Sequence, residues 1–189
     1  MSKPLLVLGR DDHGMFITHD EFAEAQYQEP WRYERVNGRL VVMNPSGHDH
    51  QASGSPIFAH LGAYMLSHSN VVEFVFPEAW VVIDDETERI ADIGVYLKTS
   101  SGRIPERVPE LVFEIVSEGT ADQHRDYDDK RAEYERIGIK EYVIVDRFQS
   151  RLTVFRLQQG RYQSQILGPS DSYTTPLLPG LEIPLSNVF

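Results

Sequence analysis

The sequence predicts an α/β (α+β) fold: a mixed β-sheet flanked by helices, entered through an N-terminal β-hairpin. Three observations predict it. Asn37-Gly38 lies between two strand-like runs within residues 33–43. Two segments, near 50–67 and 121–137, carry apolar residues at helical spacing. Short apolar runs lie between and after them, at 71–83, 90–97, 111–117 and 141–146. The order hairpin, helix, strands, helix, strands suits a sheet with helices packed on it.

Each element has a local cause. Residues 1–17 carry no strong pattern and are expected to be a lead-in, with a single domain over 18–189. Thr18-His19-Asp20-Glu21 has capping-box spacing, so a short helix should run to about Tyr27 and stop at Pro30. Asn37-Gly38 favours a two-residue hairpin turn because both positions need positive φ. From about His50 to Ser67, Ile57, Leu61, Tyr64 and Met65 share a helical face, and Pro56 is expected in the first turns. Val71–Ile83 is expected as a strand interrupted by Pro77, and Ile90–Leu97 follows the acidic turn Asp84-Asp85-Glu86. Residues 98–109 form a polar loop, and Leu111–Ser117 is a strand buried by composition. A helix is expected from Ala121 to Ile137, with Thr120 as N-cap and Gly138 just past its end. Glu141–Asp146 is an apolar strand, and 151–157 with 161–167 forms a hairpin turning near Gln159-Gly160. The Pro-rich tail is expected to pack as an irregular strap.

Composition narrows the function classes. Apolar residues make up 41% and charged residues 25%, enough for a globular core. The absence of cysteine excludes disulfides, zinc–thiolate sites and thiol nucleophiles. No signal-peptide or membrane-span pattern is present, so a cytoplasmic location is expected, with no membrane partner. The net charge of −11 argues against a protein that coats nucleic acid through bulk positive charge. A carboxylate-rich metal site with local basic groups remains compatible with it.

Three residues point to chemistry. Glu114 interrupts the apolar run Leu111–Val116 and by alternation shares a face with Val112 and Val116. A covered carboxylate needs a pair, hydrogen bonds or a metal, so a structural salt bridge and a functional role both fit. Asp92 shares a strand face with Ile90, Gly94 and Tyr96, and Gly94 should leave open space beside it. By itself Asp92 also fits an edge aspartate in a bulge. Lys130 lies in the helix whose stripe is Tyr127, Tyr134 and Ile137. At about 100° per residue, with Tyr127 at zero, Lys130 falls near about 300°, inside the stripe. It should face the sheet and a carboxylate there, or snorkel past the aromatics to water.

Two acids and an inward amine suit phosphodiester hydrolysis. Carboxylate oxygens suit Mg²⁺, with Mn²⁺ an alternative. The ion polarises the phosphate and acidifies a bound water, and the amine steadies developing charge. Glu34 and Glu78 are weaker candidates on strands, and His50 at a helix start fits a supporting role. His48 and His50 form a His-x-His pair, but with His60 and His68 they match no closed zinc spacing.

Several spaced segments then resemble one family. They are Glu114-Ile115-Val116-Ser117; Asp126, Lys130, Tyr134, Glu135 and Gly138; and Glu141–Asp146. Tyr33-Glu34 to Asn37-Gly38, Val41–Pro45, His50-Gln51 and Leu178–Leu181 complete the set. Together they are similar to the Uma-type family of restriction endonucleases over about residues 18–189. The resemblance implies a PD-(D/E)XK nuclease fold, with Asp92 and Glu114 as metal-holding acids and a homodimer. The lysine that such motifs place two residues after the glutamate is Val116 here. The resemblance assigns it instead to Lys130 on the following helix. Ala91 stands before the aspartate where the family favours proline, and Glu118-Gly119 replaces the usual Pro-Ser. The function expected is a Mg²⁺-dependent endonuclease acting on DNA. The alternative is a non-catalytic nucleic-acid-binding or dimerisation module on the same fold. A hydrolase built on His48 and His50 is a third reading.

Overall fold

The computed structural model describes residues 5–98, 102, 104, 107–117 and 124–189. It shows a mixed α+β fold around one large, mostly antiparallel sheet. The chain begins with β1 (Val7–Leu8), a 3-10 turn at Arg10–Asp12, α1 (His19–Glu24) and β2 (Gln26–Tyr27). The hairpin β3 (Arg32–Val36) and β4 (Arg39–Met43) leads to α2 (His48–Ser67), β5 (Val72–Asp84), β6 (Thr87–Leu97) and β7 (Leu111–Ile115). A π-helical turn (Arg125–Lys130) runs into α3 (Arg131–Ile137), followed by β8 (Glu141–Asp146), β9 (Arg151–Gln158) and β10 (Arg161–Leu167). β11 (Ser172–Tyr173) and β12 (Ile183–Pro184) pair in the tail.

The main sheet has the order β10-β9-β8-β7-β6-β3-β4, with β5 also paired to β6. Only β7 and β8 run parallel in it, because the connection between them crosses over through the π-turn and α3. β5 pairs along nearly the whole of β6. The other edge of β6 is shared: β3 joins it at Arg35–Glu88, and β7 joins it at Ile93–Val95. Among the described residues no strand pairs with 89–92 on that edge, so the sheet forks there.

Strand alternation sorts the core into two faces. Ile93, Val95, Phe113, Ile115 and Val143 pack with Ile57, Leu61 and Tyr64 of α2 and with the tail residues Tyr173, Leu178 and Leu185. Val112, Val116, Tyr142 and Ile144 face the other way, against Tyr134 of α3. The hairpin turns on Asn37 (φ 51°) and Gly38 (φ 71°), the geometry expected of Asn-Gly. Gly138, at φ 84°, ends α3.

Several expectations need correction. α1 stops at Glu24, and Gln26–Tyr27 is a strand parallel to Val7–Leu8. The capping box fixes the start of that helix, with Thr18 accepting from the Glu21 N–H, but nothing in the sequence fixes its end. The lead-in is therefore tied down: Leu8 and Ile17 are buried with Phe22, Tyr33 and Leu40. Pro56 lies well inside α2, not in its first turns. Pro77 does not interrupt β5; it stays in register with Ile93. The tail strap contains a small sheet. The Thr120 cap, the Ala121 helix start and the Glu118-Gly119 difference lie outside the described residues.

Candidate active site

On the edge of β6 away from β5, the fork leaves the N–H and carbonyl of Ile90 without a neighbouring strand, and side chains satisfy them instead. Its N–H donates to Glu34 Oε1 at 3.1 Å, and its carbonyl accepts from Lys130 Nζ at 2.9 Å. A buried peptide group without partners would cost as much as a lost hydrogen bond, so these two side chains are also structural.

Lys130 is 2% exposed and reaches the sheet from the end of the π-turn. It donates to Ile90 O and to Glu114 Oε1 at 2.8 Å, and its ammonium is ion-paired with Glu34 Oε1 at 3.3 Å. The inward phase read from the helical stripe is the one observed, without snorkelling. Glu114 is 3% exposed, on the face that alternation assigned to it. Tyr134 Oη donates to its Oε1 at 3.1 Å. Both bonds from Lys130 and Tyr134 fall on that one oxygen.

Asp92 sits on β6 inside the fork, its side chain 8% exposed. Oδ2 accepts from the Ile115 N–H at 2.8 Å and lies 3.1 Å from His50 Nε2. Oδ1 lies 3.1 Å from Arg32 Nη2. His50 reaches it from the first turn of α2, and Gly54 one turn later faces the same way. A Cβ on Gly54 would come within 3.1 Å of Ile115 Cδ1, so glycine lets the helix sit this close to β7. Asp92, Glu114, Lys130, Glu34 and His50 thus line one small cavity, with Arg32 and Arg125 at its mouth.

The open space expected beside Asp92 at Gly94 is absent. A Cβ there would lie 2.5 Å from the Cβ of Ala79 on β5. Gly94 serves the close approach of two strands rather than of a ligand. Glu78 is an exposed residue of β5, 3.3 Å from Arg32 Nε, and lines a separate groove of about 420 Å³ with Asp92, His50 and Phe58. It does not join Glu114 and Lys130. His48 is exposed, and among the described residues no group of three or more His, Asp or Glu gathers at metal-binding spacing. His48 lies on the surface while His50 turns inward to Asp92, so the two imidazoles do not face one site.

Two residues, one lining the cavity and one buried beside it, were not singled out from the sequence as chemical candidates. Asp126, 1% exposed, lies one helical turn before Lys130 on the same face. Arg32 precedes Glu34 by two on β3, the alternation that puts both on one side. Spacing puts each on the same face as a candidate, but their burial and pairing come from distant segments.

The acids differ in how readily they ionise. Burial opposes the charge on Glu34, yet Lys130 and Arg89 outweigh it and bring the pKa down to about 2. Arg89 donates to Glu34 at 3.0 Å and grips Glu133 of α3 through two bonds of 2.8 Å. Burial also opposes Asp92, but the His50 hydrogen bond and the Arg32 charge hold it well below the usual carboxylate range. Glu114 goes the other way. Burial, with the charges of Asp92 and Asp126, overcomes Lys130 and pushes its pKa up to about 8. Asp126 is also raised, chiefly by burial. For Lys130, burial is outweighed by Glu114, Glu34 and Asp126, so the ammonium is stabilised. Lys130, Arg32 and Arg89 already balance the acids of the cavity, so a divalent cation would be held by the oxygen donors of Asp92 and Glu114 rather than drawn in by an excess of negative charge.

Comparison with known proteins agrees with this architecture. A crystal structure described as "a putative nuclease belonging to DUF820 from Anabaena variabilis ATCC 29413" superposes with a TM-score of 0.72 at 18% identity. The match covers 92% of this chain and 97% of that one, which shows a shared fold. No curated protein matches. The Uma2 family model, described as "Putative restriction endonuclease", matches residues 19–186, and the chain belongs to that family.

Proposed function

We propose that the chain is a divalent-metal-dependent endonuclease that hydrolyses phosphodiester bonds in DNA. The observation that carries this function is the buried meeting of Lys130 with Glu114, with Asp92 lining the same cavity in the fork. Asp92 and Glu114 would hold Mg²⁺ or Mn²⁺. Two carboxylates are the usual protein share for Mg²⁺, with waters and substrate phosphate completing the shell. When bound, such an ion polarises the phosphate and lowers the pKa of a water.

The chain's own residues supply the rest. Glu114 must lose the proton that burial favours, and its Oε2, which has no hydrogen-bond partner among the described residues, is the oxygen that would ligate. Tyr134 and Lys130 keep Glu114 oriented through Oε1. Lys130 stays charged beside the reacting phosphate and offsets the negative charge that grows there. Ile115 N–H fixes the direction of Asp92, and Arg32 screens it from the cleft.

A non-catalytic module on the same fold is favoured by one observation: both oxygens of Asp92 are already engaged by protein groups. Plasmid nicking in Mg²⁺ or Mn²⁺ separates the two. Nicking that is lost in Asp92→Asn and Lys130→Met supports the endonuclease. Equal nicking by both variants rejects the assignment, and calorimetry showing no Mn²⁺ binding at millimolar concentration favours the module.

A further inference from the structure

A cleft of about 930 Å³ opens above the buried acids, between the β3–β4 hairpin, the start of α2 and Arg147. Arg32 and His50 form part of its floor, and both touch Asp92. The cleft inverts the charge of the molecule. Over the whole chain 29 acids face 18 Lys and Arg. Among the described residues of the cleft wall, Arg10, Arg32, Arg125 and Arg147 stand with one carboxylate, Asp49, while Arg32 and Arg125 also pair with the acids Asp92 and Asp126 beneath them. Such local inversion concentrates an anionic ligand at one place on an otherwise repelling surface.

The wall also carries an aromatic plane. Trp31 is half-buried, and the guanidinium of Arg10 lies 5.1 Å from its ring centroid. Arg10 is exposed and has no salt bridge among the described residues. Arg147 is half-buried on the same wall, 3.6 Å from the exposed carboxylate of Asp49. Guanidinium groups with spare donors match phosphate oxygens. The indole face beneath the exposed Arg10 matches a nucleobase, which stacks on aromatics whatever its identity. In a duplex the base faces are already stacked on one another. Only an unpaired base has a face to offer.

We propose that this cleft binds single-stranded nucleic acid, with an unpaired base stacked on Trp31 and neighbouring phosphates held by Arg10 and Arg147. The binding claim stands by itself; the nuclease function enters only in naming what the strand would meet at the floor.

The test is run in EDTA, so that cleavage plays no part. Labelled oligothymidylate, oligouridylate and a blunt DNA duplex are titrated with the protein, and anisotropy is read. The chain has two tryptophans, so Trp80→Phe leaves Trp31 as the fluorophore. Binding of either single strand, with quenching of Trp31, is expected; the two arms tell DNA from RNA. Trp31→Ala should weaken binding by about fivefold or more, and Trp31→Phe should keep most of it. Arg10→Gln should flatten the dependence of log K on log salt by about 0.7. Failure of both single strands to bind, equal binding of the duplex without quenching, or an unchanged Trp31→Ala variant would overturn the proposal. Loss of nicking with this binding intact would fall on the endonuclease alone.

Discussion

Replacing Glu34 by Gln tests the electrostatic account of the fork most directly. Glu34 is wholly buried and accepts from Arg89 and the Ile90 N–H, with Lys130 at 3.3 Å. Its folded pKa of about 2 lies below the ordinary value of 4.5. At about 1.36 kcal/mol per pH unit, that depression corresponds to about 3 kcal/mol of stability. Because the folded value is depressed, the contribution is fully present above the unfolded pKa near 4.5 and is lost as pH falls towards 2. Gln keeps the shape and still accepts from Ile90, but it leaves Lys130 and Arg89 with less compensating charge. Urea unfolding followed by circular dichroism should show Glu34→Gln less stable by about 3 kcal/mol at pH 7. The gap should shrink to about half of that at pH 3. A loss below about 1 kcal/mol at pH 7, or the same loss at both pH values, would refute the idea that charge compensation holds this seam.

Other predictions follow the same logic. Glu114 has a raised folded pKa, so its burial costs stability as pH rises from 4.5 to about 8; Glu114→Gln should gain on wild type over that window in urea titrations. Metal binding needs the ionised form, so calorimetry should show Mn²⁺ affinity rising about tenfold per pH unit below pH 8 and levelling above it. Gly94→Ala should lower stability by about 1–3 kcal/mol through its clash with Ala79, and the added Ala79→Gly change should recover much of it in thermal melts.

Much of the site was legible because two periodicities suffice to aim side chains. Period two placed Glu114 on the covered face of β7, and the helical period placed Lys130 on the inner stripe. The structure sets them 2.8 Å apart. What was illegible depended on neighbours distant in sequence. The space beside Gly94 is decided by Ala79 on the partner strand, which no local pattern reveals. Asp126 stood in a polar run, Asp126 to Asp129, where an acid reads as solvated. Its burial follows from a π-turn that has no compositional signature. Arg32 stood at the mouth of the hairpin, and its role appears only when β6 brings Asp92 beside it. The same holds for the N-terminal segment: Val7–Leu8 finds order through Gln26–Tyr27, a pairing without a turn motif to announce it.

The gap left by the diverging strands has a consequence for interpreting relatives. Lys130 and Glu34 mend the peptide at Ile90, so a homologue that has abandoned catalysis would still be under pressure to retain them. Their persistence across an alignment would report an intact seam rather than turnover. The residues that discriminate working enzymes from silent copies should be those with no mending duty, and Oε2 of Glu114 is the first place to look.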